Sequence, residues 1–279
     1  MSSSPCPPVR FALVAFRLPA GGYVGRREAR RVELQAVIEE ARRRKITHVL
    51  LPGWTFVYSQ AEYRDGQPQQ DIDWLAAATR DLCFIGQLTV HSEKAKEFRS
   101  PPAGLGVIAI ERGQVLPARI RQWFAQSGAV KDRNDLYAAL ADEVFGGARS
   151  LTLGGVRFLI LVCGENNFLT NLGRDLTIQL RHEAPGQTLA DLHAIDYQVA
   201  FNPAHTEMGN DGKMHQRWRW LSRPHAANAE RRCLFVTNIE EGGSRARSMY
   251  ACRNEQPVEL DAKQDWPEEQ PWIMDVVEG

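Results

Sequence analysis

The chain has 279 residues, enough for one large domain or two small ones, and its 43% hydrophobic and 24% charged content is ordinary for a globular protein. Its 34 basic and 34 acidic residues balance, so no overall field draws it toward nucleic acid or an acidic membrane surface. The longest apolar runs are strand-sized and cannot span a bilayer, so neither nucleic acid nor a membrane is expected as a partner.

The amino-terminal segment, residues 1–8, is rich in Ser and Pro and lacks the basic start and apolar core of a signal peptide. We expect it to be a disordered tail that precedes a single domain spanning residues 9–279. The cysteines form an odd, dispersed set without a CxxC pair, which favours a reducing compartment and a cytoplasmic location. No pair of His or Cys residues has the spacing of metal ligands, so no metal is expected.

The first half of the chain alternates between strand-like and helix-like segments. The helix at 26–44 is indicated by Leu34, Val37, Ile38 and Ala41, which recur on one face. Pro52-Gly53 ends the second strand. The remaining apolar patterns predict strands at 10–16, 47–51, 82–90, 105–111 and 115–123 and helices at 71–81 and 132–144.

The second half continues the alternation. Its patterns predict a hairpin at 150–162, helices at 168–180 and 216–230, and strands at 197–201, 233–237, 248–252 and 258–260. Asn202-Pro203 is expected to break the strand before it, and the residues after 260 are left unassigned. This alternation predicts an α/β domain with mixed sheets and helices outside them.

Cys163 stands at the end of a strand that reads as fully buried, residues 156–162, and Gly164 follows at once. Open α/β sheets gather their active sites at the carboxyl ends of strands. A helix that began beside Cys163 would also favour its thiolate form. The sequence therefore predicts a thiol-based site at Cys163, with an inert buried thiol as the alternative.

His205 follows the Asn202-Pro203 break and should lie at the same end of the sheet as Cys163. A histidine there could act as the base of a Cys–His pair. The alternative is a histidine that is hydrogen-bonded within its own loop.

Four segments in this order resemble the nitrilase superfamily of carbon–nitrogen hydrolases. They are Leu51-Pro52, Leu161 to Glu165, Phe201 to His205, and Val236-Thr237-Asn238. The resemblance extends over residues 10–252 and implies a four-layer α-β-β-α sandwich. It also implies chemistry by a Glu, a Lys and a Cys: the Cys forms a covalent intermediate, the Glu moves protons, and the Lys steadies the oxyanion. Members often self-associate, so the resemblance implies a homo-oligomer.

Residue by residue, the resemblance carries over only in part. Cys163 matches the nucleophile, but Gly53 stands where the family has its Glu and has no group that can transfer a proton. Arg119 or Arg121 falls near the lysine position, where an arginine keeps the positive charge but cannot give up a proton. The alternative for both is an exposed strand edge.

Other side chains near these segments complete the predicted site. Glu143 is the nearest match to a second glutamate that many members carry, with a solvated helix-end carboxylate as the alternative, and Lys131 is a candidate for a displaced ammonium. Glu165 matches an acidic position two residues after the Cys, or else is a carboxylate facing a helix start. The residues expected to contact substrate are Glu165, Asn166, His205 and Trp54.

Two functions follow from this interpretation. The first is a thiol-dependent hydrolase or acyl transferase that attacks the carbon–nitrogen bond of a small-molecule amide or nitrile through Cys163, without a cofactor. The second is a nitrilase-like protein that has lost hydrolysis and now binds a ligand or a protein partner.

Overall fold

A computed structural model describes residues 8–18, 25–90, 106–117, 120–124, 133–173, 177–205, 211–239, 247–260 and 270–279. Most of the expected amino-terminal tail lies outside these ranges, as do Arg119 and Lys131. Within the ranges, no helix is both long enough and apolar enough to cross a membrane.

The elements follow one another along the chain as short strands and mostly short helices. The strands are β1 (Arg10–Phe16), β2 (His48–Leu50), β3 (Phe56–Tyr58), β4 (Cys83–Val90), β5 (Gly106–Glu111), β6 (Gln114–Val115), β7 (Ser150–Leu153), β8 (Val156–Ile160), β9 (Leu169–Leu172), β10 (Thr177–Leu180), β11 (Val199–Ala204), β12 (Arg232–Thr237), β13 (Met249–Arg253), β14 (Gln256–Pro257) and β15 (Trp272–Glu278). The helices are α1 (Arg27–Arg43), α2 (Gln60–Arg64), α3 (Gln67–Ala78), α4 (Asn134–Phe145), α5 (Leu189–Ala194) and α6 (Asp211–Leu221), and a 3-10 helix spans Cys163–Phe168.

Two mixed sheets form the middle of the molecule. The first has the order β15-β1-β2-β4-β5-β6, with β3 also paired to β4, and the second has the order β14-β13-β12-β11-β8-β7. Strands β1, β2 and β4 are parallel, as are β8, β11 and β12, because helical segments connect them. Antiparallel strands complete both sheets, as expected for mixed sheets.

Successive side chains of each strand in the first sheet point to opposite faces, so one face packs against the second sheet and the other against helices. Phe11, on the inner face of β1, meets Phe158 of β8 edge to face at 6.2 Å, which places the two sheets against each other. Val14, on the other face, belongs to a second core that includes Leu34 and Ile38 of α1. On the far side of the second sheet, Trp218 of α6 stacks on Phe235 of β12 at 4.3 Å.

Helices thus cover the outer faces of two stacked sheets, which confirms the α-β-β-α sandwich. The parallel strands β2, β8 and β11 bring their carboxyl ends to one region of the molecule. In that region Gly53, just after β2, donates its backbone N–H to the carbonyl oxygen of Ala204 at the end of β11, at 2.8 Å. This bond joins the two sheets where the candidate site lies.

The structure corrects the predicted strand at 115–123. Among the described residues of this segment, Gln114–Val115 pairs with β5 as a strand, and Ile120 makes an isolated bridge to Val107. Pro117 falls between them and has no N–H for a ladder, which explains the interruption.

The predicted helix at 168–180 is also wrong, because β9 and β10 form an antiparallel hairpin there. Thr177 and Gln179 are exposed while Ile178 and Leu180 point toward the protein, which is the period of a strand. Gly173 has φ of 66°, a left-handed conformation that suits a hairpin turn and ends any helix.

Other boundaries and elements differ as well, including the strand predicted at 258–260, where the structure has none. Strand β11 continues through Asn202 and Pro203, because both stay paired with β12 although the pairing with β8 ends at Phe201. Helix α6 ends at Leu221, well before the predicted end at residue 230. The unassigned tail supplies β15, which pairs along the whole length of β1.

Candidate functional site

Cys163 begins the 3-10 helix that follows β8, and its φ of 50° places it in the left-handed region. A residue with a side chain rarely adopts this conformation, which costs about 1–3 kcal/mol, and such strained residues recur at active sites. The backbone of the strand end is therefore turned sharply at the predicted nucleophile. The side chain is 2% exposed.

His205 lies directly beside the thiol. Its Nδ1 is 2.9 Å from the Cys163 sulfur, within hydrogen-bond distance. The pairing of β8 with β11 explains this proximity, since the two residues follow the carboxyl ends of adjacent parallel strands. The structure thus places together the Cys and the His that the sequence indicated for one end of the sheet.

Trp54 closes the other side of the imidazole. Its ring stacks on His205 with centroids 3.9 Å apart and planes 11° from parallel. Burial lowers the pKa of His205 from 6.5 to about 4, because a charged imidazolium would lose its hydration there. At neutral pH the imidazole is therefore uncharged and has an acceptor for the thiol proton.

Gly53 occupies the expected glutamate position, and the surroundings leave no space for a side chain. A Cβ there would lie 2.9 Å from the carbonyl carbon of Ala204 and 3.0 Å from both the backbone nitrogen of His205 and Oε1 of Gln87. The Gln87 amide instead accepts a hydrogen bond from the Trp54 backbone N–H at 2.9 Å. Position 53 supplies no base, as the sequence indicated, and Gln87 lies beside it.

The side chain of Arg121 contacts Trp123 and Glu143. Its guanidinium lies 3.6 Å over the ring of Trp123 and forms an ion pair with Glu143 at 3.0 Å. Glu143 also binds Arg149 at 2.8 Å, so the catalytic roles predicted for Arg121 and Glu143 receive no support from their contacts. The next residue, Gln122, is buried, whereas the side chain of Arg121 is partly exposed.

Gln122 connects to the predicted site through hydrogen bonds. Its Oε1 accepts from Nε2 of Gln87 at 2.9 Å and from the indole N–H of Trp54 at 3.4 Å. An uncharged amide therefore lies on the Trp54 side, where the sequence had suggested a cationic side chain. The residue type gave no signal for this, since a lone glutamine in a strand-like segment is unremarkable.

Glu165 is fully buried, and its carboxylate accepts hydrogen bonds from other groups of the protein. It accepts two hydrogen bonds from Arg149, at 2.7 and 3.1 Å, and one each from the backbone N–H groups of Trp123 and Val162. Burial raises the pKa of Glu165, while the Arg149 charge and the backbone donors oppose that rise. These contacts favour a structural role that holds the Cys163 turn, rather than the predicted contact with substrate.

Arg149 is the one partner of this network that sequence reasoning missed. It is fully buried and bridges Glu143 and Glu165, yet it follows a Gly-Gly turn like many surface arginines.

Asn166, by contrast, was expected near substrate and has a different environment. It is fully buried, and among the described residues neither its Nδ2 nor its Oδ1 has a hydrogen-bond partner.

The described part of the chain holds no group of three or more His, Cys, Asp or Glu side chains arranged for a metal ion. The described side chains of the site supply a buried thiol, a neutral imidazole and side-chain amides.

Comparison with known proteins places the fold. No family model matches the chain, and no curated relative is similar in sequence. An amidase from Nesterenkonia sp. is 13% identical with a TM-score of 0.52, and the match covers 97% of this chain and 89% of the amidase. A glutamine-dependent NAD(+) synthetase from Cytophaga hutchinsonii is 10% identical with a TM-score of 0.54, and this chain spans only 43% of its length.

A mutant of the Nesterenkonia amidase carries the acetamide moiety of fluoroacetamide covalently at its active-site cysteine, and its match to this chain has a TM-score of 0.53. Another mutant is described as an amidase from the nitrilase superfamily, with a TM-score of 0.52. At such low identity these likenesses concern the fold. The chain therefore shares its fold with these amidases.

Proposed function

We propose that the protein is a thiol-dependent hydrolase that cleaves the carbon–nitrogen bond of a small-molecule amide or nitrile through a covalent Cys163 intermediate. The observation that carries the proposal is the 2.9 Å contact between the Cys163 sulfur and Nδ1 of His205 at the carboxyl ends of two parallel strands. A thiol held against a neutral imidazole is the arrangement that nucleophilic catalysis needs. The fold, shared with amidases, supports the same reaction class.

The reaction with an amide divides into two steps. His205 takes the thiol proton while sulfur attacks the carbonyl carbon, and the tetrahedral intermediate collapses as the carbon–nitrogen bond breaks and nitrogen takes that proton. Water then adds to the thioester with His205 as base, and the carbon–sulfur bond breaks to restore the thiol and release the acid. An amine in place of water would complete an acyl transfer.

The low pKa of His205 constrains the first step. A pKa of about 4 lies roughly 4–5 units below that of an ordinary thiol, so a separated thiolate and imidazolium would be sparse at neutral pH. We therefore expect proton transfer to accompany formation of the sulfur–carbon bond. The imidazole replaces the proton-transfer group that position 53 lacks.

Turnover and labelling test the proposal. We expect an amide and nitrile panel to yield a substrate, Cys163→Ala to abolish turnover, and His205→Gln to lower kcat by about 10²–10⁴. Iodoacetamide should label Cys163 before Cys83, a matched buried thiol whose pKa is raised to about 11 by burial. Lack of turnover across the panel, or equal labelling of the two thiols, would contradict the proposal.

The closed position at Gly53 favours a second candidate, a protein that binds an amide-like ligand without hydrolysing it. The close approach of Ala204 and Gln87 leaves no space for the family's base there. In this case small amides should raise the melting temperature of the wild-type protein and of Cys163→Ala alike, with no product formed by either.

A further inference from the structure

The side chain of Asn166 is an exception within an otherwise well-bonded turn. It is fully buried, and within the described ranges neither of its polar atoms has a partner. Its neighbour Asn167 donates to the carbonyl oxygen of Gly164 at 2.9 Å and accepts from Arg217 at 2.7 Å. Because most buried polar side chains are bonded, the open donor and acceptor of Asn166 call for a ligand as their explanation.

Asn166 also lies close to the nucleophile. Cys163 and Asn166 are three residues apart in the 3-10 helix Cys163–Phe168, which has three residues per turn and a rise of about 2.0 Å per residue. Their Cα atoms are therefore separated by one turn, roughly 6 Å along the axis. A small molecule bound to the Cys163 sulfur is long enough to span this separation.

The other amides of the region are already committed. Gln122 and Gln87 bond to each other, and Gln87 also accepts from the Trp54 backbone. Asn202 donates to the carbonyl oxygen of Cys163, and Asn238 donates to that of Gly53, so each has only its oxygen open. Among these described amides, only Asn166 offers an open donor and an open acceptor together.

The side-chain amide of Asn166 is complementary to a primary carboxamide, because each has one donor and one acceptor that can pair with the other. Its Nδ2–H can donate to the carbonyl oxygen of a primary amide, and its Oδ1 can accept from the amide N–H. A nitrile nitrogen accepts but cannot donate, so a bound nitrile would leave Oδ1 unpaired and buried. Sites built to bond both groups reject analogues that lack one of them.

On the basis of the proposed function, we propose that Asn166 binds the reacting carboxamide and is the residue that selects primary amides over nitriles. The donor bond would strengthen as the carbonyl oxygen gains negative charge in the tetrahedral intermediate. The acceptor bond orients the nitrogen that leaves. Asn166 itself transfers no proton.

Binding to a protein that cannot react tests this assignment apart from hydrolysis. In the Cys163→Ala background, calorimetry compares butyramide and butyronitrile, which share one carbon chain. We expect butyramide to bind about 10–100-fold more tightly. Adding Asn166→Leu should remove that preference by weakening butyramide binding at least tenfold, and Asn166→Asp, which keeps the acceptor oxygens but loses the donor, should weaken it as well.

The melting temperature distinguishes ligand binding from a purely structural role of Asn166, because a structural role would make the substitution destabilising. Because leucine has the same branching as asparagine and no polar atoms to satisfy, Asn166→Leu should leave the melting temperature unchanged or raise it. Equal affinities for the two ligands, no butyramide binding, or a lower melting temperature with unchanged butyramide affinity would overturn the assignment. If the wild-type protein binds butyramide selectively but shows no turnover, the proposed hydrolysis is wrong and the proposed role of Asn166 in binding amides still holds.

Discussion

The burial of His205 predicts that the protein loses stability in mild acid. Its pKa is about 4 in the folded protein and 6.5 in an exposed histidine, so the unfolded chain binds more protons between these two values. The free energy of unfolding is therefore highest above pH 6.5 on account of this residue and falls as the pH drops toward 4. The gap corresponds to roughly 3 kcal/mol.

The substitution His205→Gln removes this titration and serves as the reference. Urea unfolding of both proteins near neutral pH and at about pH 4.5 gives four free energies of unfolding. Carboxylates titrate in both proteins, so their effect cancels in the comparison. We expect the wild-type protein to lose roughly 2–3 kcal/mol more than His205→Gln between the two conditions.

Two outcomes would refute this reasoning. Equal losses would mean that His205 is protonated in the folded protein as easily as in the unfolded chain. A relative gain for the wild-type protein in acid would mean that the folded pKa is raised, as in a thiolate–imidazolium pair with Cys163. Repeating the comparison with Cys163→Ser would then identify the ion pair, since a serine hydroxyl does not ionise in this range.

Three further substitutions test the surroundings of the pair. Gly53→Ala places a Cβ 2.9 Å from the backbone that leads to His205 and should cost about 1–3 kcal/mol in urea unfolding, with normal stability counting against the closed position. Arg149→Met leaves Glu165 buried without its cation and should cost about 3–5 kcal/mol, much of it recovered when Glu165→Gln is added; no recovery would contradict the buried ion pair. Trp54→Ala exposes His205, so an NMR titration should find its pKa moved from about 4 toward 6.5, whereas an unmoved pKa would exclude the stacking as a cause.

The strongly patterned elements could be predicted from the sequence. Strand β1 matches its prediction residue for residue, and α1 differs by one residue at each end, because local apolar patterns and burial agree there. The hairpin of β9 and β10 was missed because leucines at 169, 172 and 180 fit a helical spacing almost as well as a strand. Strand β15 was missed because its partner lies at the other end of the chain, and no local pattern reports a pairing of that range.

The candidate site was predictable where it depends on strand ends and not where it depends on contacts between sheets. Cys163 and His205 both follow parallel strands, so their meeting at one edge could be expected. The stacking of Trp54 and the bonds of Gln122 arise where segments of the first sheet approach the second, and no spacing in the sequence encodes them. Arg149 escaped notice for the same reason, since its partners are brought to it by the fold.

The glycine at position 53 and the histidine at position 205 are consequences of one geometric arrangement. The Gly53 N–H binds the Ala204 carbonyl at 2.8 Å, which draws the end of β11 so close that a Cβ at position 53 would be 3.0 Å from the His205 nitrogen. A glutamate at position 53 would have to push this backbone away, and the imidazole would move from the Cys163 sulfur with it. We therefore expect Gly53→Glu to disrupt the Cys163–His205 contact rather than add a second base beside it.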